Sequence, residues 1–151
     1  MTSSVSVIII IFFFSVNFIS KETQVADIDE VVVNSGQLGE SLILKVYKPS
    51  GYTPDKEYPV LYFIADYGET GFSVMDDYKV AEKAEKLLAD GEIEPMIIVG
   101  VNMDKSYGLN SAKTKETVVT STGVTLNKGM YMDYLCKEVI PLIDEKYSTQ
   151  D

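Results

Sequence analysis

Two continuous apolar runs separated by a helical segment constrain the fold of this chain most strongly. The runs are PVLYFI at 59–64 and MIIVGV at 96–101, and turn-forming residues flank them. Continuous apolar runs of this length are typical of strands covered on both faces, as in the middle of a parallel sheet. The segment between them, from Ser73 to Asp90, has apolar residues at helical spacing and is followed by Gly91. This order of strand, helix and strand predicts a parallel crossover.

The rest of the chain adds two strands before this unit and one helix after it. The pattern predicts strands at 28–33 and 41–48, a long loop over 102–127, and a second helix from Asn127 or Lys128 to about residue 147. The apolar face of that helix is predicted to contain Met132, Leu135, Cys136, Val139 and Ile143, which makes Cys136 a core thiol. The order β-β-β-α-β-α predicts a three-layer α/β/α domain over residues 27–151.

The first 20 residues are predicted to be a secretory signal peptide. They carry no charged side chain, and residues 5–16 form the mostly apolar run VSVIIIIFFFSV. That run is shorter than the roughly 20 residues needed to span a bilayer and is typical of the apolar part of a signal peptide. The sequence therefore predicts a secreted protein. An uncleaved membrane anchor and a buried strand are the alternatives for this segment.

Acidic residues dominate the charge of the chain and argue against two classes of partner. Asp and Glu number 23 against 13 basic residues, every one of them Lys, which gives a net charge of −10. Nucleic-acid-binding proteins carry a basic stripe, and docking onto anionic lipid also needs basic residues. We therefore expect neither a nucleic acid nor an anionic membrane as partner.

The absence of histidine excludes several kinds of site. The chain has no histidine and one cysteine, Cys136. A Ser-His-Asp or Cys-His site cannot be assembled from these residues, and neither can a histidine-ligated metal site or an internal disulfide. The acidic clusters lack the spacing of a calcium-binding loop. We therefore predict no cofactor, no metal ion and no catalytic residue within this sequence.

Three sequence blocks together carry a resemblance to a known family. They are VYKPSGYTPDKEYPVLYFIAD at 46–66, LLADGEIEPMIIVGVN at 87–102 and YMDYLCKEVIPLIDEKYSTQD at 131–151. From about residue 32 onward, the chain resembles the putative-esterase family of the α/β-hydrolase fold, which includes esterase D (S-formylglutathione hydrolase) and the enterochelin esterases. The resemblance implies the N-terminal half of an α/β-hydrolase sheet, and a parent protein that hydrolyses a small-molecule carboxylic ester.

The resemblance also implies which part of an esterase site the chain contains. In the family, the GxSxG nucleophile elbow follows the third block, and the given sequence contains no GxSxG. The loop after the PVLYFI strand gives the family one backbone N–H of the oxyanion hole. In this chain the oxyanion-loop candidates are Asp66, Tyr67 and Gly68. Asp66 departs from the family pattern and adds negative charge, whereas Gly68 and Gly71 allow the close backbone approach that the loop requires.

Two functions of different classes remain open from the sequence. The chain is the N-terminal fragment of a serine ester hydrolase, inactive alone, or it is a non-catalytic secreted α/β binding module. In the α/β-hydrolase arrangement, the strand that carries the nucleophile lies beside the PVLYFI strand. Because the given sequence lacks that strand, we expect PVLYFI to lie at a sheet edge and to promote self-association.

Overall fold

A four-stranded mixed sheet organises the protein, whose computed structural model describes residues 26–64 and 67–150. The strands are β1 (Asp27–Ser35), β2 (Glu40–Lys48), β3 (Val60–Ile64) and β4 (Ile97–Val101), and their order in the sheet is β1-β2-β4-β3. β1 pairs antiparallel with β2, and β2 pairs antiparallel with β4. β3 and β4 are parallel, so the predicted parallel connection is confirmed.

The described part of the chain has two helical regions. One follows β3, and the other lies near the end of the described residues. A π-helical turn (Ser73–Asp77) precedes α1 (Val80–Ala89). The last helical region consists of α2 (Tyr131–Tyr134), a π-helical segment (Leu135–Val139) and α3 (Ile140–Lys146).

The first of these regions is not the single helix that the sequence predicts over 73–90. Lys79 adopts a left-handed backbone conformation, with φ 53°, and separates the π-helical turn from α1. A left-handed residue cannot continue a right-handed helix, so the helix is interrupted there. The predicted C-terminal end is correct, because Gly91 follows α1 with φ 73°.

Helices cover both faces of the sheet and give two hydrophobic cores. One face packs against the last helical region and includes Leu44, Val46, Val99, Tyr134 and Ile143. The opposite face packs against α1 and the π-helical turn and consists of Tyr47, Val74, Met75, Ala81, Ala84 and Ile98. The three-layer α/β/α architecture is therefore confirmed.

β3 and β4 differ in burial although their sequences look alike. All five residues of β4 are buried, as predicted. In β3, however, Leu61, Phe63 and Ile64 are between 36% and 49% exposed. The prediction that β3 is covered on both faces is wrong, because β3 is the outermost strand of the described sheet. The expectation that this strand lies at an edge is confirmed.

A β-hairpin lies where the sequence predicts a loop. β5 (Glu116–Val119) and β6 (Thr125–Lys128) pair antiparallel as a separate two-stranded sheet. The predicted start of the last helix at Asn127 or Lys128 is wrong, because both residues belong to β6 and the helix begins at Tyr131. β-branched residues on both sides of a turn containing glycine were the signal for this hairpin.

The π-helical segment changes which side of the last helix is buried. Tyr131, Tyr134, Val139 and Ile143 are fully buried, whereas Met132 and Cys136 are exposed. A π-helix accommodates an extra residue per turn, so the buried stripe advances by five residues from 134 to 139. The predicted core positions of Met132 and Cys136 are wrong for this reason, whereas those of Val139 and Ile143 are confirmed.

Two predicted features fall on residues that the structure does not describe. The signal peptide at 1–20 and the oxyanion-loop candidate Asp66 lie outside the described residues. Among the residues that are described, no helix has the length and apolar character needed to cross a membrane.

Candidate functional site

The candidate oxyanion loop lies at the carboxyl end of β3. Its described part begins with Tyr67 and Gly68. Because β3 and β4 are parallel and in register, the segments that follow the two strands leave the sheet at the same edge. Ligands of open α/β sheets bind at the carboxyl ends of parallel strands. Tyr67 and Gly68 therefore lie near the carboxyl ends of the parallel strands, where a ligand is expected.

The backbone of this loop packs directly against β4. A Cβ atom added to Gly71 would lie 2.2 Å from the carbonyl oxygen of Gly100, and one added to Gly100 would lie 2.8 Å from the carbonyl oxygen of Gly71. Neither contact can be relieved by rotating a side chain, because both partners are backbone atoms. The two backbones can approach this closely only because both positions are glycine. The Gly71–Gly100 contact thus fixes the position of the loop on the sheet.

Tyr67 connects the candidate loop to the hairpin. Its hydroxyl donates a hydrogen bond to the backbone carbonyl of Thr125, the first residue of β6. Its ring lies 6.0 Å from the ring of Tyr107, with 34° between the two planes. Tyr107 belongs to the segment that follows β4. The segments after β3 and β4 therefore meet the hairpin at one place.

A charged network connects the base of the hairpin to the sheet. The Lys115 ammonium lies 2.8 Å from the Asp104 carboxylate and also contacts the carboxylate of Glu40 on β2. The side-chain amide of Asn127 donates to Asp104 at 2.5 Å. Asp104 has φ 52°, a left-handed conformation that is rare outside glycine and least costly for Asn and Asp. The network therefore selects one conformation of the segment that follows β4.

Burial and hydrogen bonding act in opposite directions on the titration of this network. Burial, the largest single effect, disfavours the charged form of Asp104. The positive charge of Lys115 and the hydrogen bonds from Lys115, the Lys105 backbone and Asn127 together outweigh burial and lower the pKa of Asp104. Burial also opposes the charge of Lys115, but hydrogen bonds to Asp104 and Glu40 raise the pKa of Lys115. Both groups are therefore ionised at neutral pH.

The side chains of this region limit the chemistry that it can perform. The sequence has no histidine to activate a serine or threonine hydroxyl. In the ranges 26–64 and 67–150, no group of three His, Cys, Asp or Glu side chains is placed to hold a metal ion. The arrangement therefore offers a surface at the carboxyl ends of β3 and β4, formed by the rings of Tyr67 and Tyr107, that a ligand can contact.

Sequence reasoning identified only part of this site. It selected Tyr67, Gly68 and Gly71, but it missed the contacts that Tyr107 and Thr125 make with Tyr67, because these join residues far apart in the chain. Gly100 was recognisable, since a glycine inside a continuous apolar strand often marks a close backbone approach.

Comparison with known sequences gives one family and several relatives. The family model described as "Putative esterase" matches residues 35–151. An endo-1,4-beta-xylanase/feruloyl esterase from Xylanibacter ruminicola is 29% identical over 135 residues, which cover 86% of this chain and 17% of that protein. Endo-1,4-beta-xylanase Y from Acetivibrio thermocellus is 28% identical over 107 residues, which cover 70% of this chain and 8% of that protein.

Solved structures show the same fold. A ferulic acid esterase from the anaerobic fungus Anaeromyces mucronatus, in complex with ferulic acid, superposes with a TM-score of 0.65 and 20% identity. The match covers 86% of this chain and 46% of that one, so the chain spans less than half the length of this relative. The sheet described above is therefore part of an α/β-hydrolase domain. Since the family model covers most of the sequence, the chain belongs to the putative esterase family, as its three sequence blocks predict.

Proposed function

We propose that this chain forms the oxyanion-loop side of a carboxylic-ester hydrolase whose substrates are feruloyl or related hydroxycinnamoyl esters. Membership of the esterase family supports the reaction. The feruloyl esterase relative and the solved structure with ferulic acid bound support the substrate class. The observation that carries the proposal is the Gly71–Gly100 contact, which holds the candidate loop at the carboxyl end of β3.

The second part of the proposal is that residues 1–151 do not hydrolyse esters alone. Acyl transfer at neutral pH needs a nucleophile, a base that accepts its proton, and donors for the oxyanion. The sequence contains no histidine and no GxSxG elbow, so the first two functions have no residues to perform them. The missing groups must then come from polypeptide outside these 151 residues.

A pair of hydrolysis assays tests both parts. The purified chain is assayed with methyl ferulate, and so is a chimera in which residues 26–150 replace the matching part of the Anaeromyces mucronatus esterase. We expect background rates from the chain and saturable turnover from the chimera. A cooperatively folded chimera with no activity would contradict the esterase assignment. Saturable turnover by the chain, abolished by one Ser→Ala substitution, would contradict the proposal that it is inactive alone.

The alternative function is a non-catalytic binding module. It is supported by the helices on both faces of the sheet, which form two packed cores among the described residues. This alternative predicts a chain that melts cooperatively as a monomer. The esterase fragment is expected to be marginally stable and to associate, because none of the described strands pairs with the outer edge of β3.

The free edge of β3 supports a proposal of self-association. Near the start of β3, Tyr58 accepts a hydrogen bond from the amide of Gln150 at 3.0 Å and donates its own amide to the carbonyl of Ser148 at 2.9 Å. Beyond Tyr58, the described strands pair with β3 only through β4. Unpaired strand edges with apolar side chains are templates for pairing with a second copy. Sedimentation velocity over a range of concentrations tests this, and a strictly monomeric chain would contradict it.

Secretion directed by residues 1–20 is the remaining proposal. It is supported by the uncharged apolar run in that segment, which is too short to span a bilayer. An N-terminal membrane anchor is the alternative. The two outcomes differ in where the expressed protein is found, in the medium or in the membrane fraction.

A further inference from the structure

Exposed apolar side chains concentrate beside the candidate oxyanion loop. In the described part of the chain, the segment 102–128 carries four exposed large apolar residues, Tyr107, Leu109, Val119 and Val124, and the first three are the most exposed of their kind. Tyr107 is 67% exposed and lies against the ring of Tyr67, whose hydroxyl is bound to Thr125. Thr125 pairs with Val119 across the hairpin. Single exposed apolar residues are common, but an apolar surface connected to a candidate site marks a place where a ligand binds.

We infer that Tyr67 and Tyr107 form the surface that binds the aromatic ring of the acyl group. This inference rests on the proposed function, because it places that ring beside the loop that receives the ester carbonyl. The two tyrosines belong to the segments that follow the adjacent parallel strands β3 and β4. Both therefore lie at the carboxyl ends of these strands. A planar ring gains most when it packs on another aromatic ring in an offset or edge-to-face arrangement.

The structure fixes the ring of Tyr67 and the backbone on both sides of Tyr107 before any ligand binds. Tyr67 is fixed by its hydrogen bond to the carbonyl of Thr125. On one side of Tyr107, the buried hydroxyl of Ser106 donates to the carbonyl of Met103 at 2.6 Å and accepts the amide of Gly108 at 3.1 Å. On its other side, the Asn110 amide donates to Asp133 on α2 at 2.9 Å. A pre-organised surface loses little entropy on binding, which favours a rigid ligand.

The rigidity of the acyl group gives this surface its selectivity. In a hydroxycinnamoyl ester, a conjugated two-carbon link keeps the aromatic ring and the carbonyl in one plane at a fixed separation. A fixed platform beside a fixed oxyanion loop can therefore contact both ends at once. A flexible aliphatic acyl chain must lose rotational freedom to do the same and gains no ring contact.

Ligand-observed NMR titrations of the full 151-residue chain test the inference. The probes are methyl ferulate and methyl hexanoate, and the variants are Tyr107→Leu and Tyr107→Phe. We expect Tyr107→Leu to weaken methyl ferulate binding by about 2- to 12-fold and to leave methyl hexanoate unchanged, since leucine keeps an apolar surface but loses the ring contact. Tyr107→Phe should bind methyl ferulate as the wild type does, because the ring is retained.

A matched control removes a different exposed tyrosine. Tyr78, between the π-helical turn and α1, is 43% exposed, and Tyr78→Leu should leave both affinities unchanged. Far-UV circular dichroism confirms that each variant is folded. The inference is overturned if Tyr107→Leu binds methyl ferulate as tightly as the wild type, if it weakens both esters equally, or if the folded wild type shows no saturable binding.

The chimera described above separates failure of this inference from failure of the proposed function. A chimera that hydrolyses methyl ferulate, and whose Tyr107→Leu form keeps the same preference for methyl ferulate over methyl hexanoate, overturns the inference and leaves the proposed function standing. A folded but inactive chimera overturns the proposed function. The NMR titrations of the 151-residue chain measure binding directly and do not depend on the activity of the chimera.

Discussion

Replacing Gly100 by alanine tests the contact that positions the candidate oxyanion loop. The new methyl group would lie 2.8 Å from the carbonyl oxygen and 3.1 Å from the Cα of Gly71. Ordinary contacts between carbon atoms begin at about 3.5 Å, so the loop and β4 must move away from each other by several tenths of an ångström. Both atoms that obstruct the methyl group belong to backbone, and Gly100 lies in a strand whose residues are all buried. The strain therefore cannot relax into solvent or through a rotamer change.

The expected change in the free energy of unfolding is the difference between two opposing effects. Overpacking of a well-packed interior costs about 1–3 kcal/mol. Alanine also restricts the unfolded chain, which returns about 0.4–1 kcal/mol. We therefore expect Gly100→Ala to lower the free energy of unfolding by about 1–2 kcal/mol, and the Tm by about 3–8 °C. Gly71→Ala should cost more, because its Cβ would lie only 2.2 Å from the Gly100 carbonyl oxygen.

Thermal and urea unfolding followed by circular dichroism measure these changes. Gly36→Ala is the matched control, because its Cβ would lie 3.4 Å from an oxygen of the Glu138 side chain, an ordinary van der Waals contact, and would meet no backbone atom. We expect this control to be neutral or slightly stabilising. If Gly100→Ala is as stable as both the wild type and Gly36→Ala, the two backbones do not approach as described, and the positioning role of the contact is refuted.

Three further predictions concern the charged network, the sheet edge and the N-terminus. Asp104→Asn tolerates the left-handed backbone but loses the charge opposite Lys115, so we expect a loss of about 1–2 kcal/mol at pH 7. Because the pKa of Asp104 is lowered on folding, its contribution is complete above the unfolded pKa and disappears as pH falls through the folded one. The difference between wild type and variant should therefore shrink in urea titrations below about pH 4, and a constant difference would contradict this. Leu61→Lys on β3 should reduce association in sedimentation velocity, whereas Met132→Lys on α2, an exposed position outside the sheet, should not; equal effects would argue against pairing through β3. Intact mass spectrometry of secreted protein should show a form lacking residues 1–20, and a full-length mass would contradict cleavage.

The sequence predicts the four strands of the main sheet and the two helical regions, but it does not show which strand is central. PVLYFI and MIIVGV have the same apolar character, yet β4 is buried and β3 is half exposed. Burial depends on which strands pair on either side, and such pairing joins residues distant in the chain. The same limit explains the site, because the contacts of Tyr67 with Tyr107 and Thr125 depend on the folded arrangement of three segments.

Periodicity fails in the last helix for a local reason. A regular helix would continue the stripe of Tyr131 and Tyr134 to residue 138, but the structure buries Val139 instead. One additional residue in the π-helical segment Leu135–Val139 causes this shift. Nothing in the apolar pattern identifies such a segment, because an apolar residue at 135 and another at 139 suit both kinds of helix.

The π-helical segment also makes the last helix tolerant of a change in chain length. Removing one exposed residue there, such as Lys137, would convert the segment to ordinary α-helix and bring Val139 four residues after Tyr134 in space and sequence. The buried positions on both sides would keep their orientation. In α1 there is no extra residue that a deletion could remove without changing the helix. A one-residue deletion there would rotate every following side chain by about 100°. In the evolution of this family, deletions of one residue should therefore be accepted at this point of the helix and rejected in α1.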